Sequence, residues 1–248
     1  MRRLVLSDVH SNATALAAAL AACRGRWDQA VCLGDLVGYG PDPNEVIDQI
    51  RPMVGATIRG NHDKAVCGLG DLDDFNPVAR SAVEWTRRQL RAENLRYLAS
   101  LPAGPIHIDG LTLVHGAFHD EDEYVFVPEQ AMDGLLVAPE ELIFFGHTHM
   151  QGGFAYRDSE LETITVKPPR TDALFSTLRL EQASRYMLNP GSIGQPRDGD
   201  ARAAFAIVDS NQSLVEFWRV PYDIASVQER LRQAGLPQPL AARLASGH

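Results

Sequence analysis

Leu4-Val5-Leu6-Ser7-Asp8-Val9-His10 is the stretch from which the fold is read: three apolar residues, then a polar turn carrying a carboxylate and an imidazole. A short apolar run bounded by turn residues reads as a buried strand. The same arrangement returns four times. Ala30-Val31-Cys32-Leu33 runs into Gly34-Asp35, and Ala56-Thr57-Ile58 leads into Gly60-Asn61-His62-Asp63. Leu111-Thr112-Leu113-Val114 runs into His115-Gly116, and Leu142-Ile143-Phe144-Phe145 into Gly146-His147-Thr148-His149. Helical stretches lie between. Asn12 to Cys23 is rich in Ala and Leu behind a Ser/Asn cap, and Asn44 to Ile50 follows Pro43. Residues 76–100 carry a helical pattern that buries Val78, Val83, Trp85, Leu90, Leu95 and Leu98, and Pro102 and Pro105 end it.

After Met150 the texture changes. Residues 154–156, 161–166, 174–180, 185–188, 203–208 and 214–220 read as short strands at turn-like spacing, punctuated by Pro168-Pro169 and Pro190-Gly191. Residues 224–244 read as helical, broken at Pro237-Gln238-Pro239. An α/β chain in this order is housed most simply by two packed mixed sheets flanked by helices. No polar linker divides the halves, so residues 1–248 are expected to form a single domain, its core at about 1–222 and residues 223–248 a C-terminal helical segment.

The chain has 248 residues, 23 Lys and Arg against 32 Asp and Glu, and a net charge of −9. That balance argues against gripping long nucleic acid by phosphate neutralisation, and against a polybasic membrane anchor. No apolar run approaches the length of a membrane span or a signal peptide. Cys23, Cys32 and Cys67 are an odd set without a pairing motif. Free thiols in a cytoplasmic protein are expected, with Cys32 filling the core.

Each polar cluster alone has an ordinary explanation. A Gly-Asp pair closes turns, and a single histidine often sits satisfied in a core. Together they do not read that way: five of the eight histidines fall at strand ends, as His10, His62, His115, His147 and His149. Ligands of open α/β sheets bind beyond the carboxyl ends of strands, so the clusters share a rim. Asp, His and the carbonyl oxygen of Asn are metal ligands.

In this order the five clusters resemble the calcineurin-like metallophosphoesterases over roughly residues 4–208. The resemblance implies a four-layer α/β/β/α sandwich with two divalent transition-metal ions between the sheets. It implies that Asp8, His10 and His149 hold one ion, that Asn61, His115 and His147 hold the other, and that Asp35 bridges them. It places His62 outside the metal shell, facing substrate, with Asp63 orienting it. Manganese is the foremost candidate ion, and iron, zinc, nickel or cobalt suit the same donors.

The chemistry of these residues agrees. Two ions about 3.5–4 Å apart clamp both sides of an in-line phosphoryl displacement, and a bridging hydroxide is the nucleophile. His62, with a near-neutral reference pKa, is the general acid. The two cations outweigh the two aspartates and the hydroxide, so the site is electropositive within an acidic protein. In Gly38-Tyr39-Gly40-Pro41, Tyr39 either leans over the substrate or closes a turn. In Asn189 to Arg197, a stretch resembling a loop of the family's bacterial branch, Arg197 either contacts a phosphate or pairs with Asp198 or Asp200. Ser192 lacks the spacing of a nucleophile elbow. The acidic run His119-Asp120-Glu121-Asp122-Glu123 reads as a solvated loop that repels extended polyanions. The expected activity is hydrolysis of a small phosphodiester or nucleotide-like substrate. Alternatives are a dinucleoside polyphosphate hydrolase, a phosphomonoesterase or protein phosphatase, an exonuclease, and a non-catalytic metal-binding scaffold. Expected partners are a small phosphorylated substrate, with neither long nucleic acid nor membrane; a homo-oligomer stays open.

Overall fold

Successive side chains of a strand face opposite ways, and the apolar residues of this chain sort accordingly into separate cores. The computed structural model describes residues 1–73, 75–169 and 173–248. The order begins β1 (Arg2–Leu6), α1 (Ala13–Ala22), β2 (Gln29–Cys32), α2 (Pro43–Ile50), β3 (Ala56–Thr57) and α3 (Asn61–Val66). It continues with α4 (Pro77–Gln89), α5 (Ala92–Ala99), β4 (Ile106–Ile108), β5 (Leu111–Leu113), α6 (Pro128–Val137) and β6 (Leu142–Phe144). The β-rich half holds β7 (Gly152–Arg157), β8 (Glu160–Thr165), β9 (Phe175–Arg179), β10 (Arg185–Asn189), β11 (Ala203–Asp209) and β12 (Leu214–Val220). Two helices, α7 (Ile224–Gln233) and α8 (Gln238–Ser246), close the chain.

Two six-stranded mixed sheets result, in the orders β3-β2-β1-β11-β12-β9 and β4-β5-β6-β10-β7-β8. The expected sandwich of two sheets flanked by helices is the one observed. In β1, Val5 enters the core between the sheets, where Val31, Leu33, Phe144, Leu188 and Phe217 also meet. Leu4 and Leu6 turn the other way, onto α1 and α2. On the far face of the second sheet, Ile143, Phe154 and Met187 pack with Ala131 and Leu135 of α6. A smaller cluster joins α4 to α7 and α8, with half-buried Trp85 against it. Cys32 is fully buried among the apolar residues under α1 and α2. No helix among the described residues is long and apolar enough to cross a membrane.

Three features differ from the sequence reading. The helix expected over 76–100 is two helices, with Leu90 and Arg91 extended between them. The side chain of Asn44 explains the break: its amide donates to Gln89 O at 2.9 Å and its carbonyl accepts from Arg91 N at 3.0 Å. It satisfies one group on each side of the break, a tertiary contact invisible to local pattern. The helix α3 begins inside the Gly-Asn-His-Asp cluster, where Asp63 accepts from Gly60 N at 3.1 Å. The helix α6 and the strand β4 were not expected either. For α6 a signal existed: Pro128 opens it, and Gln130 reaches back to the N–H groups of Phe126 and Val127 at 2.8 and 3.1 Å.

Phe217 is 1% exposed between the sheets. Phe217→Ala should destabilise the chain by about 3–5 kcal/mol, because a large cavity opens between two rigid layers. Urea unfolding monitored by circular dichroism measures this; a shift below about 1 kcal/mol would mean that the layers collapse onto the gap.

Candidate metal centre

The sheets place the clusters before any side chain is considered. β1, β2 and β3 run parallel in the first sheet, and β5, β6 and β10 run parallel in the second. Six carboxyl ends therefore open on one rim. A loop after β10 stitches the sheets together there: Ile193 N and Gly194 N donate to Ser7 O and Asp8 O at 3.1 and 3.0 Å. The turns are tight enough to force unusual backbone. Of the twelve non-glycine residues with positive φ among the described residues, seven lie here: Asp8, His10, Ser11, Asp35, Tyr39, His147 and His149. Such conformations persist only where surrounding structure imposes them, and they concentrate at functional sites. At Gly60 a side chain has no room, since a Cβ would fall on the Asp35 carboxylate.

Four of the imidazoles, those of His10, His115, His147 and His149, are aimed by backbone carbonyls. The Nδ1 of His10 meets Val37 O at 3.0 Å, that of His115 meets Leu33 O at 2.8 Å, and that of His149 meets Gln195 O at 2.6 Å. A carbonyl oxygen only accepts, so these Nδ1 atoms carry hydrogen and each Nε2 presents its lone pair inward. His147 is reversed: its Nε2 meets Asp122 O at 3.1 Å, which leaves Nδ1 as its free donor to a cation.

The inward atoms crowd together. His10 Nε2 lies 3.0 Å from His149 Nε2 and 3.5 Å from Asp35 Oδ2, and His149 Nε2 lies 3.2 Å from Asp8 Oδ1. His115 Nε2 is 3.5 Å from Asp35 Oδ2 and 3.3 Å from Asn61 Oδ1. Asp35 Oδ2 itself is buried without a hydrogen-bond partner, while Oδ1 accepts from His62 N at 2.9 Å. Electron-pair donors packed this closely, away from water, fit a cation among them. Among the described residues, two groups have ligand atoms close enough for one: Asp8, His10, Asp35 and His149, and Asp35, His115 and His147. The mixture of imidazole and carboxylate suits Mn, Fe, Co, Ni or Zn. Asp35 belongs to both groups.

Electrostatics follow from that crowding. Burial disfavours the Asp35 carboxylate, yet His115 and His62 beside it hold its pKa well below the usual range. Burial likewise opposes ionisation of Asp8, and His149 overcomes it. His115 is disfavoured by burial but drawn up to about 10 by Asp35. Burial pushes His147 down to about 3 and His62 to about 4.

His62 borders the centre from the first turn of α3. Its ring sits among those of Tyr39, His10 and Phe75, with centroids at 4.3, 4.9 and 5.0 Å, and its Nδ1 is buried without a hydrogen-bond partner. Asp63, expected to orient His62, is bonded to backbone. Both oxygens of Asp63 turn to backbone: Oδ1 accepts from Val37 N at 3.2 Å, and Oδ2 from Leu36 N and Gly60 N at 3.3 and 3.1 Å. Burial and the Asp35 charge raise its pKa to about 7. Asp63 ties the loop after β2 to the start of α3 and acts on the shape of the rim.

A cleft of about 480 Å³ opens on the centre and is lined by Asn61, His62, Lys64, Phe75, Tyr124 and His147, with Tyr39 at its edge. Tyr39 is 7% exposed, its ring on His10 at 4.6 Å and on His62, so most of it is spent on protein contacts. Arg197 lies over that ring at 5.6 Å, and its backbone N donates to His149 O at 3.2 Å. The carboxylates expected to pair with it are engaged elsewhere, Asp198 with Arg219 and Asp200 with Arg202. The acidic run is no free loop: Glu121 pairs with Arg59 and Lys64 at 2.7 and 3.1 Å, and Asp122 pairs with Lys64. Sequence reasoning missed Tyr124, whose ring stacks on His147 at 3.8 Å, and Phe75, whose ring meets that of His62 at 5.0 Å. No local pattern marks them, because each reaches the centre through a loop from elsewhere. Ser192 serves structure, donating to Asp8 O at 2.7 Å.

Comparisons with known proteins point the same way. The model of the calcineurin-like phosphoesterase superfamily domain matches residues 1–213. An uncharacterised protein of Methanocaldococcus jannaschii is 35% identical over 249 residues, covering 98% of this chain and 97% of that one. The crystal structure of a metallophosphoesterase from Sphaerobacter thermophilus is 40% identical, with a TM-score of 0.83 over 100% of this chain and 99% of that one. A hypothetical protein of Pyrococcus horikoshii shares the fold at 21% identity, with a TM-score of 0.78 over 100% and 98% of the two chains.

Mn²⁺ should raise the midpoint of thermal unfolding of the wild-type chain, because binding to the folded state alone stabilises it. Asp35→Asn should weaken that binding by roughly a hundredfold or more, since even outer hydrogen-bond partners of metal ligands are worth 10–100-fold. Scanning calorimetry reads the first and titration calorimetry the second; an unchanged affinity in the variant would remove Asp35 from the site.

Proposed function

We propose, since the chain belongs to the calcineurin-like phosphoesterase superfamily, that it is a metal-dependent hydrolase of small phosphodiesters, nucleotide-like molecules among them. The observation that carries the reading is Asp35 Oδ2, buried without a partner and 3.5 Å from the Nε2 atoms of both His10 and His115. One carboxylate faces both donor groups, which supports a two-metal centre: Asp8, His10 and His149 on one side, Asn61, His115 and His147 on the other, Asp35 shared. Two divalent ions, when bound there, offset phosphoryl charge and make water a nucleophile at neutral pH.

The remaining work falls to the chain's own groups. His62 borders the cleft next to Asn61 and is the proposed proton donor to the leaving-group oxygen as the P–O bond breaks. Burial, helped by the nearby Arg197, favours its neutral form, and the charge of a bound phosphate favours its imidazolium. Arg197 is the proposed second contact to the phosphate: its Nε is buried without a hydrogen-bond partner, and no carboxylate pairs with it among the described residues. The volume of the cleft suits a small molecule. Phe75 on the His62 side and Tyr124 on the His147 side give it aromatic walls, which favours a leaving group with a flat ring. Pairing within the acidic loop leaves Arg59 and Lys64 neutralised, and long polyanions gain little there. The three free thiols support a cytoplasmic setting.

Purified protein should carry about two metal ions per chain and hydrolyse bis-p-nitrophenyl phosphate with Mn²⁺. The absence of metal-stimulated turnover on this and on a cyclic nucleotide would sink the reading; faster turnover of a phosphomonoester than of the diesters would redirect it. His62→Ala should lower kcat by about 10²–10⁴ on diesters with alkoxide leaving groups. The loss should be much smaller on the nitrophenyl ester, whose leaving group departs without a proton. Tyr124→Ala should raise KM roughly tenfold for a nucleoside diester and hardly change it for a methyl ester.

A further inference from the structure

His62 is surrounded by rings and not by hydrogen-bond partners. Its Nδ1 is buried without one, and Asp63, the nearest carboxylate in sequence, is committed to three backbone N–H groups. Packing must therefore aim the imidazole. The nearest ring is that of Tyr39, at 4.3 Å and tilted by 56°. Beside it, a Cβ on Gly38 would stand 2.5 Å from His62 Nδ1, so the backbone before Tyr39 also presses on the imidazole. Tyr39 holds φ at 55°, a left-handed conformation that bulky side chains rarely adopt. The ring is placed against a backbone preference.

Behind Tyr39 lies a core of its own. Tyr39 packs with Val227 and Leu231 of α7, Leu240 and Leu244 of α8, and Ala79 and Ala82 of α4. The gap bordered by Tyr39, His10 and these leucines is only about 10 Å³, about one probe sphere of water. Both terminal helices lie beyond residue 213, where the match to the superfamily domain ends. Arg230 of α7 pairs with Asp42, three residues after Tyr39, and fastens the helix pair to the same loop.

We propose that Tyr39 is the positioning residue for His62, a wedge through which the C-terminal helix pair holds the imidazole in line with the leaving group. The proposal rests on the reading of His62 as proton donor. Only the ring is required of the wedge, since nothing in the packing on His62 uses the hydroxyl.

The test compares two diesters at saturating Mn²⁺, one releasing p-nitrophenolate and one releasing a nucleoside alkoxide. Tyr39→Asn removes the ring while tolerating the left-handed backbone. It should lower kcat on the alkoxide substrate by roughly tenfold or more, with a much smaller loss on the nitrophenyl substrate and an unchanged metal content. Tyr39→Phe should recover most of the lost kcat. Leu240→Ala, which loosens the support without touching His62, should show a smaller loss of the same selective kind. In the metal-free protein, the His62 ring protons should lose their Tyr39 ring-current shift in Tyr39→Asn and keep it in Tyr39→Phe. Equal losses on both substrates, loss of metal, or a Phe variant as impaired as the Asn variant would overturn the proposal. If His62→Ala shows the selective loss and Tyr39→Asn does not, the wedge alone is wrong. If His62→Ala shows none, the proton-donor reading falls and the wedge with it.

Discussion

Everything at the rim depends on holding electron-pair donors together where they repel one another. His10 and His149 face each other Nε2 to Nε2 at 3.0 Å, with Asp8 and Asp35 within 3.5 Å of one or the other. Water screens none of this, because these side chains are at most 2% exposed. The arrangement survives because the opposite nitrogen of each ring is bonded to a carbonyl of another segment: Val37, Leu33 or Gln195. The carbonyls of Leu33 and Val37 flank Asp35 and Tyr39, whose backbone is itself forced into rare conformations. The chain accepts strain in its turns and lone-pair repulsion in its centre, and a cation held there would relieve the second.

The two sheets make such a centre possible. Three parallel strands in each direct their carboxyl ends to the same rim, and the apolar residues between the sheets lock the two halves in register. The inter-sheet core and the metal centre are thus continuous along single strands. In β1, Val5 packs between the layers, and Asp8 stands three residues later in the centre. A shift of one residue in β1 would bury Leu4 and Leu6 in the wrong layer and move Asp8 with them. The packing that stabilises the fold is therefore also what sets distances among the ligands.

Much of this was legible. Asp8, His10, Asp35, Asn61, His115, His147 and His149 stand where strands end, and the structure brings them together. The strands showed because each is a short apolar run, and the first helices because their caps and Pro43 are local signals. What was hidden was hidden for physical reasons. The break between α4 and α5 comes from Asn44, more than 40 residues away in sequence. Asp63 lies beside His62 in sequence, yet its carboxylate faces the loop after β2, because α3 starts at Asn61 and turns the two side chains apart. The acidic run reads as solvated, yet Arg59 and Lys64 hold it against the centre through Glu121 and Asp122.

By itself, the sequence determined the alternation of strands and helices, the donor residues at the strand ends and the family they signal. These are properties of local pattern: an apolar run is buried wherever it lies, and Asp or His donates to a metal in any fold. Only the tertiary structure decided which ring nitrogen faces inward, what aims His62, and where Tyr39, Phe75, Tyr124 and the C-terminal helices stand relative to the centre. Those depend on contacts between segments far apart along the chain, and no residue carries in its own neighbourhood the identity of the carbonyl or ring that will meet it.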